Sequence, residues 1–231
     1  MRKATYVLGI VVSAAVVAAT GLSAQDKPAA PLSSAEVRQL ITRGQPADHA
    51  RLSAHFAAQA DRYAADARRH STMQPAFSGN SKLAHMAASQ AAHCKQLAER
   101  NSESAALLKE LAAHHAKESA GAVSAPPKGS ERFQGAARVP SDPELAKLAG
   151  SAATAADHAT LERYFTAIAA QYEREAKESA AFAASWRTAT RNASSPALAA
   201  RWERLAKQQS DSAAEARAAA AMHKGHQTAA K

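Results

Sequence analysis

Histidine and cysteine are the residue types in this chain best suited to chemistry near neutral pH, and ten histidines stand beside a single cysteine, Cys94. An imidazole titrates in that range and ligates transition metals, and a thiolate is a soft ligand and a nucleophile. Seven of the histidines crowd one half of the chain: His49, His55, His70, His85, His93, His114 and His115. With Cys94 they make a candidate ligand set for Cu, Ni or Zn. Their spacing argues against a ready-made site. No His-x-x-x-His pair sets two imidazoles over one another on a helix, and no Glu-x-x-His matches the di-iron bundles. His93 and Cys94 would point about 100° apart on a helix. An antiparallel hairpin would instead bring His70 and His85 together across its turn, with His93 and Cys94 further along. Those four residues are the candidate metal site, and a periplasmic Cu, Ni or Zn binder is the alternative reading of the chain.

The competing role for these side chains is packing. His49 and His158 fall on apolar seams and would hydrogen-bond across a bundle. His115 and His223 fall near helix ends, where a partly positive imidazole would face the negative end of the dipole. A lone Cys94 permits no internal disulfide and reads as a small buried apolar residue. Signatures of catalysis are missing. There is no Gly-x-Ser-x-Gly, no glycine-rich phosphate loop and no Cys–His arrangement beyond the adjacent pair. A non-catalytic protein is expected.

The elements that position these residues are written in a near-repeat. ADHARLSAHFAAQADRY at 47–63 corresponds to ADHATLERYFTAIAAQY at 156–172, 109 positions later. Five non-alanine pairs match in fixed register: Asp48 with Asp157, His49 with His158, Leu52 with Leu161, Phe56 with Phe165, and Tyr63 with Tyr172. Glu36, Val37 and Leu40 resemble Glu144, Leu145 and Leu148. Leu97, Ser102 and His115 resemble Leu205, Ser210 and His223, now 108 positions apart. A duplication is expected, each unit holding one short helix and two long ones. The second unit has lost most of the candidate ligands: Ser179, Arg201 and Met222 stand where His70, His93 and His114 would be.

Alanine fills 65 of the 231 positions, and it is the strongest helix former. Helix punctuation fits. Pro46 and Pro143 suit the first turn, Thr154 to Asp157 reads as a capping box, and Asp48 falls at the same place as Asp157. Gly44, Gly121, Gly150 and Gly225 read as stops, and the hairpin turns fall at Pro75 to Asn80 and Asn192 to Pro196. His158, Leu161, Phe165, Ile168, Tyr172, Glu175, Ser179, Phe182 and Trp186 step by threes and fours as a coiled-coil-like seam. In the other unit the stripe is His49, Leu52, Phe56, Gln59, Tyr63, Asp66 and His70. On the exposed faces, Glu173 with Lys177 and Glu203 with Lys207 have the spacing of favourable ion pairs. The fold expected is all-α: two duplicated helical-hairpin units that pack as an antiparallel bundle or else dimerise. The division is a signal peptide at 1–24, a short linker at 25–33, units at 34–119 and 143–224, a Pro/Gly/Ser-rich linker at 120–142 and a frayed tail at 225–231.

Arg2 and Lys3, the apolar run from Tyr6 to Ala19 and the small residues up to Ala24 read as a secretory signal, which places the mature chain in the periplasm or outside the cell. No later stretch is long and apolar enough to span a membrane. The net charge of +9 and pI near 9.9 would draw the protein to anionic envelope surfaces or an envelope partner. The basic residues are interleaved with acidic ones, and with the export signal this excludes nucleic acid as the partner.

TAADHATLERYF and AAHCKQLAERNSESAALLKELAAHH together resemble small exported alanine-rich helical proteins of Gram-negative bacteria, to which no activity is assigned. The resemblance rests on Asp48, His49, His93, Cys94, Leu97 and His114 or His115. The second unit keeps Asp157, His158, Leu205 and His223 but has Arg201-Trp202 in place of His-Cys. What the resemblance implies is export and a helical fold; it leaves function open.

Overall fold

The computed structural model describes residues 32–83, 85–119, 140–188 and 195–229. Among them are six helices and no strand: α1 (Ser34–Arg43), α2 (Pro46–Gly79), α3 (Ala87–Glu118), α4 (Asp142–Ser151), α5 (Ala155–Thr188) and α6 (Ser195–Ala229), with a 3-10 turn at Ser81–Leu83. The short-long-long order thus occurs on both sides of the chain midpoint. The expected signal peptide and most of the central linker lie outside the described residues, as do positions 192–194 of the turn expected at Asn192 to Pro196, whose last two residues open α6.

Local chemistry sets the helix ends. Ser33 and Glu36 form a capping box on α1, and Ser141 and Glu144 form the same box on α4. Gly44 closes α1 in the left-handed region at φ 60°, where a side chain would be strained. Thr154 N donates to Asp157 Oδ2 at 3.0 Å, and Asp157 N donates to Thr154 Oγ1 at 3.2 Å, so the capping box expected there forms.

Three expected ends differ. α2 does not stop at Pro75 but runs through it to Gly79. An interior proline costs about 3 kcal/mol or more. Continuing the helix places Phe77 in the core, completely buried, worth roughly 1.5–3 kcal/mol. The two terms are comparable, and packing holds the last turn. Gly225 does not end α6, which continues to Ala229, and Gly150 lies inside α4. The turn after α2 is fastened by Asn80. Its buried amide donates to Ala149 O at 3.0 Å and Ala152 O at 3.1 Å, occupying carbonyls that the end of α4 leaves open.

α2 packs antiparallel to α3, α5 packs antiparallel to α6, and the two hairpins join as one antiparallel bundle. The partner surface that a thin hairpin needs is therefore supplied within the chain. Two kinds of seam join the hairpins. α3 and α6 approach closely, with buried Ala91, Ala98, Ala213 and Ala219 among their small residues. α2 and α5 meet through long side chains instead, and the Tyr63 and Tyr172 rings stack at 6.2 Å between centroids. All of the expected seam from His158 to Trp186 is buried except Glu175, which is half-buried. The two carboxylates expected to pair along their own helices pair between helices instead: Glu173 pairs with Arg217, and Glu203 accepts from Arg187 Nε at 2.7 Å. A guanidinium from the neighbouring helix takes the place of Lys177 and Lys207.

Candidate functional site

Polar chemistry gathers in three places: the middle of the bundle and its two ends. In the middle, the Tyr63 hydroxyl donates to Glu175 and accepts from Gln209 Nε2 at 2.9 Å. Ser179 Oγ donates to Gln209 Oε1 at 2.7 Å, and Arg62 and Gln171 hold Glu175 at 2.6 and 2.8 Å. The Tyr172 hydroxyl accepts from Asn101 Nδ2 at 2.9 Å. Asn101 and Gln209 lie 108 positions apart, so each tyrosine receives an amide from the other hairpin. Burial pushes both phenols well above their ordinary range, with the Glu175 carboxylate adding to it at Tyr63 and that of Asp66 at Tyr172. Neutral phenols held this way strut the two hairpins and set their register. Buried Arg69 adds a link between helices, reaching Asp66 on α2 at 2.7 Å and Asp142 on α4 at 2.5 Å.

Each end carries a histidine pair. His49 Nδ1 lies 2.9 Å from His115 Nδ1, and His158 Nδ1 lies 3.0 Å from His223 Nδ1. One ring must donate and the other accept, so the two cannot both be protonated. The inner rings, His115 and His223, are fully buried, and burial lowers each to about 3. Their second nitrogen is also buried and has no hydrogen-bond partner among the described residues. The expected positive imidazole facing a helix dipole therefore does not form. Desolvation outweighs the dipole, whose contribution is about 2 kcal/mol at most. The seam role expected of His49 and His158 is the one the structure shows.

The four candidate ligands named from the sequence are not brought together. The His70 ring packs at 6.2 Å from Tyr164 and 6.4 Å from Phe165. His93 Nδ1 meets Glu215 Oε2 at 2.7 Å. Cys94 is fully buried, and burial raises its thiol to about 12, which suits the small apolar residue expected and not a thiolate ligand. His85 turns away from its own hairpin to His226 of the other, with Nε2 atoms 3.1 Å apart. Among the described residues no three His, Cys, Asp or Glu side chains form a group that could hold a metal ion. The physical reason is the turn. Because α2 runs to Gly79, His70 lies more than two helical turns inside it, whereas His85 lies beyond the turn.

His226 escaped the sequence reading, although His223-x-x-His226 places both rings on one side of a helix, one turn apart. Asn80 and Asp142 were also missed, since neither carries a local signal of the distant group it binds. Compared with protein-family models, curated proteins and solved structures, the chain matches none.

Proposed function

We propose that this protein is an exported, non-catalytic helical bundle of the cell envelope that binds an anionic surface through its outer helix faces. The observation that carries the reading is the groove between α2 and α3. It has a volume of about 560 Å³ and an alanine floor, and it presents Arg68 and Lys109 with no carboxylate among its lining residues. The groove between α5 and α6, about 490 Å³, is balanced: Glu162 and Glu173 face Arg217 and Lys224. The net charge of +9, about +7 once Arg2 and Lys3 leave with the signal, supports long-range attraction to polyanions such as acidic lipid headgroups or cell-wall polymers. The basic and apolar N-terminal run supports export, as does the resemblance to exported alanine-rich proteins. No helix among the described residues is long and apolar enough to cross a membrane, which fits binding at a surface. The short-long-long order, the two histidine pairs and the exchanged amides on Tyr63 and Tyr172 support descent of both halves from one duplicated unit.

The test is cosedimentation of the full chain with anionic and with zwitterionic vesicles over a range of salt. Binding is expected to the anionic vesicles alone and to weaken as salt rises. R68E/K109E should lose most of it, while R217E in the balanced groove should lose little. Equal binding to both vesicle types, or a loss as large in R217E as in R68E/K109E, would sink the reading. Export is checked separately by sequencing the N-terminus of the periplasmic form, which should begin at Gln25.

A further inference from the structure

Four of the ten histidines meet at one end of the bundle. His85 comes from the turn before α3, His158 from the first turn of α5, and His223 and His226 from the last turns of α6. His85 Nε2 and His226 Nε2 are 3.1 Å apart, and the His158 ring stacks on His226 with 5.3 Å between centroids. His158 is in turn held by His223. We propose that His85 and His226 together bind one divalent first-row transition ion of the imidazole-preferring class, Cu²⁺, Ni²⁺ or Zn²⁺, clipping the turn of the first hairpin to the end of α6. This goes beyond binding at an anionic surface and does not depend on it.

The spacing is already that of two ligands. A metal–nitrogen bond of about 2.0–2.1 Å puts neighbouring nitrogens about 2.9 Å apart in a square-planar shell and about 3.3 Å apart in a tetrahedral one. The observed 3.1 Å lies between the two. Turning both lone pairs onto a common ion asks for a tilt of the rings and no movement of backbone. In the hydrogen-bonded pair one Nε2 accepts and the other carries the proton. Binding an ion breaks that bond: the acceptor's lone pair turns to the ion, and the donor ring moves its proton to Nδ1 or releases it to water before its Nε2 ligates. His85 is exposed and His226 half-exposed, which leaves the ion open to solvent and the rest of its shell to water. The chain of contacts behind it, from His226 to His158 to the fully buried His223, restricts how the His226 ring is oriented.

The opposite end repeats the inner pair and lacks the outer one. By the 108-residue offset, Glu118 stands where His226 would be. The expected stoichiometry is therefore one ion per chain, with Cu²⁺ tightest in the order that N-donor sites follow.

The experiment is calorimetric titration of the full, tag-free chain with CuCl₂, NiCl₂ and ZnCl₂, with far-ultraviolet circular dichroism of each variant as a check on folding. H85A and H226A should each weaken Cu²⁺ at least tenfold. H49Q, at the opposite end, should leave affinity and stoichiometry unchanged. The Cu²⁺ electron paramagnetic resonance spectrum should show nitrogen couplings in the wild type that H85A and H226A diminish. The proposal is overturned by the absence of saturable binding, by binding that H85A and H226A retain, or by an equal loss in H49Q. Because His85 is exposed and His226 half-exposed, both variants are expected to fold.

Discussion

The two ends of the bundle are built on the same histidine pair and finished differently. At one end, His49 and His115 stand among Phe56, Trp186 and Trp202, and Arg43 ties Asp48 at the helix start. At the other, His158 and His223 stand against Phe77 and Phe165, with His85 and His226 added outside. The shared part is a packing device: a hydrogen-bonded imidazole pair that joins the start of one long helix to the end of the next. The first end is sealed by large aromatics beside the half-exposed His49 and His114, and the second carries two further imidazoles, His85 and His226, at its surface.

The largest effect should come from breaking the seal. Trp202 is almost fully buried and meets Phe56 at 5.2 Å and Phe182 at 4.9 Å between centroids. It occupies the position that Cys94 holds in the other half, 108 residues earlier. Trp202→Ala should cost about 3–5 kcal/mol, since the cavity of an indole cannot collapse between three packed helices. Cys94→Ala removes one sulfur atom and should cost far less. Urea unfolding of both variants measures the difference. Similar losses would mean that the two ends are equally packed and that the contrast drawn between them is wrong.

Acid should loosen both ends alike. His115 and His223 are each lowered to about 3 by burial, against about 6.5 in an unfolded chain. Between those values the unfolded state binds more protons, so stability rises with pH there and is fully present above about 6.5. It is lost as pH falls from about 6.5 towards 3. From pH 7 to pH 5 each of these histidines should remove roughly 2 kcal/mol. His55, lowered to about 4 by burial and then by Arg62, acts in the same direction. H115N and H223N should each flatten the dependence by about one proton, read as the change of the urea midpoint between pH 7 and pH 5. A dependence that neither variant alters would show that the inner rings are not held neutral.

This symmetry was largely legible in the sequence, and its limits are physical. The seam from His158 to Trp186, the capping box at Thr154 and Asp157 and the buried state of Cys94 follow from periodicity and local hydrogen bonding, which a single helix expresses by itself. Which helix lies beside which is not a local property. Glu173 had a lysine at the right spacing along its own helix, yet it pairs with Arg217 from α6. His85 looked towards His70 on the assumption of a turn at Pro75. Burial of Phe77 carried α2 past that proline and left His85 facing His226. Misplacing one turn by a few residues was enough to give His85 the wrong histidine as its neighbour.

The smallest expected effect separates the two aspartates that open the long helices. Asp48 and Asp157 are equivalent in sequence, and both carboxyls are held below the usual range for different reasons. At Asp48 the leading cause is the Arg43 guanidinium, whose Nε and Nη2 lie 3.1 and 2.6 Å from its oxygens. At Asp157 it is the backbone N–H of Ala153 and then that of Thr154, at 3.1 and 3.0 Å. Asp157→Ala removes the N3 half of a capping box and should cost about 1 kcal/mol, with only the weak salt dependence of a carboxylate at a helix start. Asp48→Ala removes a cap and an ion pair whose arginine is about half exposed. Its cost should therefore shrink as salt screens the pair, with only the cap contribution surviving. Thermal unfolding of both variants in 20 mM and in 1 M NaCl makes the comparison. Parallel salt dependence would show that Arg43 contributes nothing at the sealed end, and the two helix starts would then be equivalent in energy as well as in sequence.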